Sequence, residues 1–149
     1  MSSGSIGRPM EILLVEDSMS DGRLALEALK EGEIQHRLTW LWDGAEALNF
    51  LYRRGCYRQA PRPDLILLDL GLPEIDGRDV LREIKSQEDL QDLPVVVLTA
   101  SDDHEDQVRS EMLAVDGYLL KPVDLDKFLR LVKELKAFWH ADLILPGAA

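Results

Sequence analysis

The chain has a single cysteine. Cys56 therefore closes no internal disulfide, and among Arg53, Arg54 and Arg58 it reads as a spare thiol of a reducing compartment. Positive charge is also scarce. Lys and Arg number 17 against 28 Asp and Glu, a net charge of −11. That balance disfavours a basic face for a nucleic-acid backbone. No apolar run approaches the roughly 20 residues that a membrane span requires. Residues 1–9 are Ser/Gly-rich and lack the apolar core of a signal peptide, so they read as a short disordered lead. These absences point to a cytoplasmic protein that engages neither membrane nor nucleic acid. The 149 residues, 46% hydrophobic, suffice for the core of one domain.

The acids that are present are not scattered evenly. Leu65-Ile66-Leu67-Leu68 runs directly into Asp69-Leu70, and Gly71-Leu72-Pro73 breaks the run. An apolar stretch of that length between turn residues fits a strand covered on both faces. Glu11 to Val15 is a second such run and ends in Glu16-Asp17. Ser18-Met19-Ser20-Asp21 is rich in helix N-cap residues, and Leu24, Ala25, Ala28 and Leu29 then recur at helical spacing. His36 to Trp42 alternates, with Leu38, Trp40 and Trp42 on one side, as in a half-buried edge strand. Asp43-Gly44 turns the chain into a helix carrying Ala47, Leu48, Leu51 and Tyr52.

A basic connector, Gly55 to Pro63, precedes the Leu65 strand. After it, Asp76-Gly77 opens a helix with Val80, Leu81 and Ile84 inward. Val95 to Leu98 forms another apolar strand, ending at Thr99. The spacing predicts a polar helix over 104–114, a short strand Gly117 to Leu120 ending at Lys121-Pro122, and a last helix over 124–139. In that last helix Leu125, Phe128, Leu129, Val132, Leu135 and Trp139 make one stripe, with Leu131 and Phe138 on its flank. Five strands alternating with five helices mean a parallel sheet covered on both faces and joined by right-handed crossovers.

Parallel strands put their carboxyl ends on one edge, where ligands bind. Glu16, Asp17, Asp69, Thr99 and Lys121 all stand there. Taken singly each has a local explanation: Asp17 and Asp69 can cap turns, and Lys121 can be a solvated turn lysine. Together, three carboxylates, a hydroxyl and an ammonium are costly unless a cation binds among the acids. Hard oxygen donors suit Mg2+. A carboxylate beside that ion can attack a phosphoryl group, whose oxygens Thr99 and Lys121 can then meet.

At these residues the sequence resembles the receiver domains of two-component response regulators. The matching pieces are Val15-Glu16-Asp17, Leu67 to Gly77, Val96 to Ala100 and Tyr118 to Pro122. The resemblance implies a flavodoxin-like (βα)5 doubly wound parallel sheet with strand order 2-1-3-4-5, filling residues 10–139. It implies that Asp69 is the phosphoacceptor. It also implies that Glu16, Asp17, Asp69 and the carbonyl of Gly71 form the Mg2+ site. Thr99 and Lys121 complete the catalytic set, and Thr99 and Tyr118 act as the switch. Glu16 stands where Asp is common in the family. The implied partner is a sensor histidine kinase. The connector with Tyr57 and Arg62-Pro63-Asp64, the Gly77 to Leu81 segment and the Phe138-Trp139 ending resemble the stand-alone regulators that serve bacterial phytochromes.

Leu131, Phe138, Trp139 and, in the 140–149 extension, Leu143, Ile144 and Leu145 carry more apolar surface than the last helix needs, which fits either a tail folded back onto the domain or, the favoured reading, a homodimer seam. Output then passes to a downstream protein the sequence does not name. Such a domain is a signalling switch rather than a metabolic enzyme. Two alternatives remain at this point. One is an adaptor that works without phosphorylation. The other is a phosphatase of the haloacid-dehalogenase type, which needs an acid two residues after the nucleophile, where this chain has Gly71.

Overall fold

The computed structural model describes residues 9–33, 35–99, 113–121 and 124–134. Five parallel strands form one sheet: β1 Met10–Val15, β2 His36–Leu41, β3 Leu65–Asp69, β4 Val95–Thr99 and β5 Gly117–Leu120. Their order is β2-β1-β3-β4-β5. Four α-helices lie among the described residues: α1 Met19–Glu31, α2 Gly44–Leu51, α3 Gly77–Ser86 and α4 Leu125–Glu134.

Alternation along the strands divides the core in two. Ile12, Leu14, Leu65, Leu67, Val96 and Leu98 face Ala25, Ala28 and Leu29 of α1 and Phe128 and Val132 of α4. Leu13, Val15, Ile66, Leu68, Val95 and Val97 face α2 and α3 through Ala47, Phe50, Val80, Leu81 and Ile84. Strands β1, β3 and β4 are therefore apolar on both faces, as strands within a covered parallel sheet must be. The edge strand β2 stays half-buried.

Helix starts follow local chemistry. Ser18 Oγ accepts from the Asp21 amide at 3.3 Å, Asp43 Oδ1 from Glu46 at 2.8 Å, and Asp76 Oδ1 from Arg78 at 2.8 Å. Asp124 Oδ1 accepts from the Lys127 amide at 3.0 Å. Each satisfies an amide that the first helical turn leaves unpaired. Gly32 ends α1 against α4: a Cβ there would lie 2.1 Å from Leu129 Cδ2.

Some sequence expectations need correction. Leu24 is 39% exposed rather than inward, because Ala25, Ala28 and Leu29 already fill the narrow face that α1 turns to the sheet. Phe50, rather than Leu48 or Tyr52, is the third buried side chain of α2 beside Ala47 and Leu51. Leu131 is half-buried at the border of its stripe, as expected, and packs against Gly117, where a Cβ would lie 2.8 Å from its Cδ2. Leu113 and Ala114, the expected last residues of the 104–114 helix, are not helical, and the rest of that helix lies outside the described residues. The 1–8 lead, Phe138, Trp139 and the 140–149 extension lie outside them as well.

Candidate functional site

Register places the polar residues. Val15 pairs with Leu68 and Asp69 with Leu98, so neighbouring strands among β1, β3 and β4 end within a residue of each other. Thr99 pairs with Leu120, and the Lys121 amide donates to the Thr99 carbonyl at 2.8 Å, which brings Lys121 to the same edge. Carboxylate oxygens of Glu16, Asp17 and Asp69 lie within 4.8 Å of one another. Glu16 and Asp69 are buried, as is Thr99, while Asp17 is exposed.

Lys121 Nζ sits among the acids, 2.6 Å from Glu16 Oε2, 3.2 Å from Asp69 Oδ2 and 3.1 Å from Asp21 Oδ2. Backbone amides take other lone pairs. Ser18 N donates to Glu16 Oε1 and Gly71 N to Asp69 Oδ1, both at 3.0 Å. Among the described residues, Glu16 Oε2 has the ammonium beside it but accepts no well-directed hydrogen bond, and it is fully buried. Such an oxygen is expensive to keep. Burial pushes the Glu16 carboxyl up to about 7, against the pull of Lys121 and the Ser18 amide, with Asp69 adding to the rise. Burial acts to lower the Lys121 ammonium's pKa, but its bonds to Glu16 and Asp21 and the charges of Asp69 and Glu16 outweigh that, so it is raised.

This donor set fits a hard divalent cation. It offers carboxylate oxygens from Glu16, Asp17 and Asp69, one of them buried without a good partner, and more negative charge than one ammonium offsets. Gly71 is anchored to Asp69 by its amide. Tyr118 is half-buried against the α2 and α3 side of the core and pairs in register with Val97. Gly77 explains how α3 approaches so closely: a Cβ there would lie 2.2 Å from the Asp69 carbonyl oxygen.

Two residues were not legible as site residues. Trp40 donates from Nε1 to the Glu16 carbonyl at 2.8 Å and so pins the turn that carries Glu16 and Asp17. Its ring lies where a Cβ on Gly22 would be 2.0 Å away, and it stacks on Trp42 with centroids 5.3 Å apart. A glycine inside α1 opposite a tryptophan was the available signal. In sequence Asp21 is only part of a helix-capping stretch, and its contact with Lys121 crosses from α1 to the end of β5.

The class the fold and site define is a doubly wound α/β domain with acids at the ends of β1 and β3 and a lysine after β5 gathered on one edge of the sheet. The chain belongs to the response regulator receiver domain family, which matches residues 12–133. Response regulator Rcp1 of Synechocystis sp. is 48% identical over 140 residues, covering 94% of this chain and 95% of that protein. The Mn(2+)-bound form of Rcp1 superposes with a TM-score of 0.73 at 47% identity, covering 93% of this chain and 100% of that one. The bacteriophytochrome response regulator RtBRR superposes at 0.82 with 38% identity, covering 89% and 81%. The phosphorylated cyanobacterial phytochrome response regulator RcpA gives 0.73 at 43% identity, covering 93% and 99%. The resemblance drawn from the strand-end motifs is borne out, and the phosphatase alternative falls with it.

Proposed function

We propose that this chain is a phosphorylation switch in which Asp69 accepts a phosphoryl group from the phosphohistidine of a sensor kinase. The observation that carries the reading is the convergence of Glu16, Asp17, Asp69 and Lys121 on one sheet edge. Glu16, Asp17, Asp69 and the Gly71 carbonyl would hold Mg2+, and the Mn(2+)-bound relative supports a divalent ion there. Bound there, the cation offsets charge on the phosphoryl oxygens.

The chain's own residues do the rest. An Asp69 oxygen forms the bond to phosphorus as the bond to the donor's imidazole nitrogen breaks, and that nitrogen keeps the electron pair. Lys121 donates to one phosphoryl oxygen and the Thr99 hydroxyl to another. The new charge draws Thr99 inward, and Tyr118 follows it on β5. The domain promotes only its own phosphorylation and the slow loss of that group.

The named phytochrome regulators among its relatives support a phytochrome kinase as donor. We place the protein in the cytoplasm, and no helix among the described residues is long and apolar enough to cross a membrane. Output goes to a downstream protein and to a second copy through the β5–α4 side. There Leu120 is 50% exposed, and a groove of about 230 Å³ is lined by Tyr118, Leu119, Lys127 and Leu131, among others. Sedimentation of the full chain at rising concentration tests the pairing; a monomer throughout overturns it.

The central test is intact mass after incubation with acetyl phosphate and Mg2+. The protein should gain one phosphoryl group, and Asp69→Asn should gain none. An equal gain in Asp69→Asn overturns Asp69 as the acceptor.

A further inference from the structure

Lys121 meets three carboxylates, and Asp21 is the one that does not belong to the acid cluster. It is the third residue of α1, and its side chain is about one-third exposed. At that helix position an acid ordinarily folds back onto the amide of the N-cap residue, closing a capping box. Here Glu16 Oε1 takes the Ser18 amide instead, at 3.0 Å. The other half of the box, from the Asp21 amide to Ser18 Oγ, needs only the backbone of Asp21. The Asp21 carboxylate is thus freed from helix duty and reaches the lysine at the far end of β5, 3.1 Å away.

An ammonium has three donors and no acceptor. Glu16, Asp69 and Asp21 surround it at 2.6, 3.2 and 3.1 Å. When Asp69 carries a phosphoryl group, the donor facing Asp69 passes to a phosphoryl oxygen. The carboxylates of Glu16 and Asp21 stay beside the ammonium as its ion-pair partners. A lysine side chain has many rotamers, and two fixed partners from different elements remove most of them before the reaction.

Resting on the phosphoacceptor reading of Asp69, we propose that Asp21 is a positioning residue. It anchors the Lys121 ammonium from α1 so that one donor points at the group on Asp69.

The test measures the rate of phosphoryl gain, by intact mass with acetyl phosphate and saturating Mg2+. The chains compared are the native protein, Asp21→Ala, Asp21→Asn, Lys121→Ala and the Asp21→Ala/Lys121→Ala pair. Asp21→Ala should slow the gain roughly fivefold, the size of one lost hydrogen bond. Asp21→Asn keeps an oxygen acceptor and should recover most of the rate. With Lys121→Ala already present, Asp21→Ala should add nothing. Mg2+ affinity, followed by tryptophan fluorescence, should stay within about twofold in Asp21→Ala, since Asp21 lies outside the acid cluster. Asp21→Ala keeping the native rate overturns the proposal, as does a loss that persists in the Lys121→Ala background, since that would mark a mere helix cap. A native protein that gains no mass instead overturns the reading of Asp69, and this proposal with it.

Discussion

The two edges of the sheet both carry acids and use them in opposite ways. At the amino edge, Asp64 Oδ2 accepts from the Glu11 amide at 2.8 Å as β3 joins β1. Asp116 Oδ2 accepts from the Val95 amide, also at 2.8 Å, as β5 joins β4. Each carboxylate there meets a strand amide and stitches one pair of strands. At the carboxyl edge, Glu16, Asp17 and Asp69 crowd within 4.8 Å and share Lys121 with Asp21. Negative charge exceeds what the described residues supply to balance it. The same chemical group stabilises the fold at one edge and holds the fold ready for a cation and a phosphoryl group at the other. Buried ionic clusters of the second kind are weak sources of stability.

The largest test of this contrast is pH. Burial pushes the Glu16 carboxyl from its ordinary 4.5 up to about 7 in the native protein. Between those values the native state holds a proton that the unfolded chain has released, so metal-free stability falls as pH rises from about 4.5 to about 7. The full loss is about 3 kcal/mol. Urea unfolding of the native protein and Glu16→Gln across that range should show the decline only in the former. Saturating Mg2+ should abolish it, because the cation competes with the proton. A pH-independent native protein would remove the idea that Glu16 is held at a cost.

Replacement of aspartates should then separate the edges by sign. Asp116→Ala should destabilise by about 2 kcal/mol, the value of a hydrogen bond from a strand amide to a carboxylate. Asp69→Asn should stabilise the metal-free protein by roughly 1 kcal/mol, by relieving repulsion from Glu16 and Asp17. Urea midpoints that shift in the same direction for both would erase the distinction.

The smallest change sharpens how the site is held. Trp40→Phe keeps an aromatic ring on β2 but removes the donor to the Glu16 carbonyl, together with the outer indole edge that lies against Gly22. A loss of about 1 kcal/mol is expected. The turn carrying Glu16 and Asp17 should also loosen, read as weaker Mg2+ binding in calorimetry; unchanged binding would confine Trp40 to packing.

Much of this protein was legible in its residues. The runs Leu13 to Val15, Leu65 to Leu68 and Val95 to Leu98 named the covered strands, because only a strand buried on both faces tolerates unbroken apolar side chains. The acids that end the first two runs, with Thr99 after the third and Lys121 after Gly117 to Leu120, marked the candidate site. Leu24 misled because helical spacing marks a face without saying how wide the neighbouring sheet makes it. Trp42 misled for a similar reason. It alternates in phase with Trp40, yet it lies one residue past β2 and is 45% exposed, stacked on its neighbour.

Sequence alone determined the elements and the kind of chemistry, since periodicity and strand-end residues are local properties that each segment carries by itself. Tertiary structure decided the distances. The order β2-β1-β3-β4-β5 and its register bring Glu16, Asp69 and Lys121 together from three separate strands. The same packing recruits Asp21 and Trp40, whose roles depend on what α1 and β2 lie beside. No local pattern encodes those meetings, because they are set by the packing of both faces of the sheet at once.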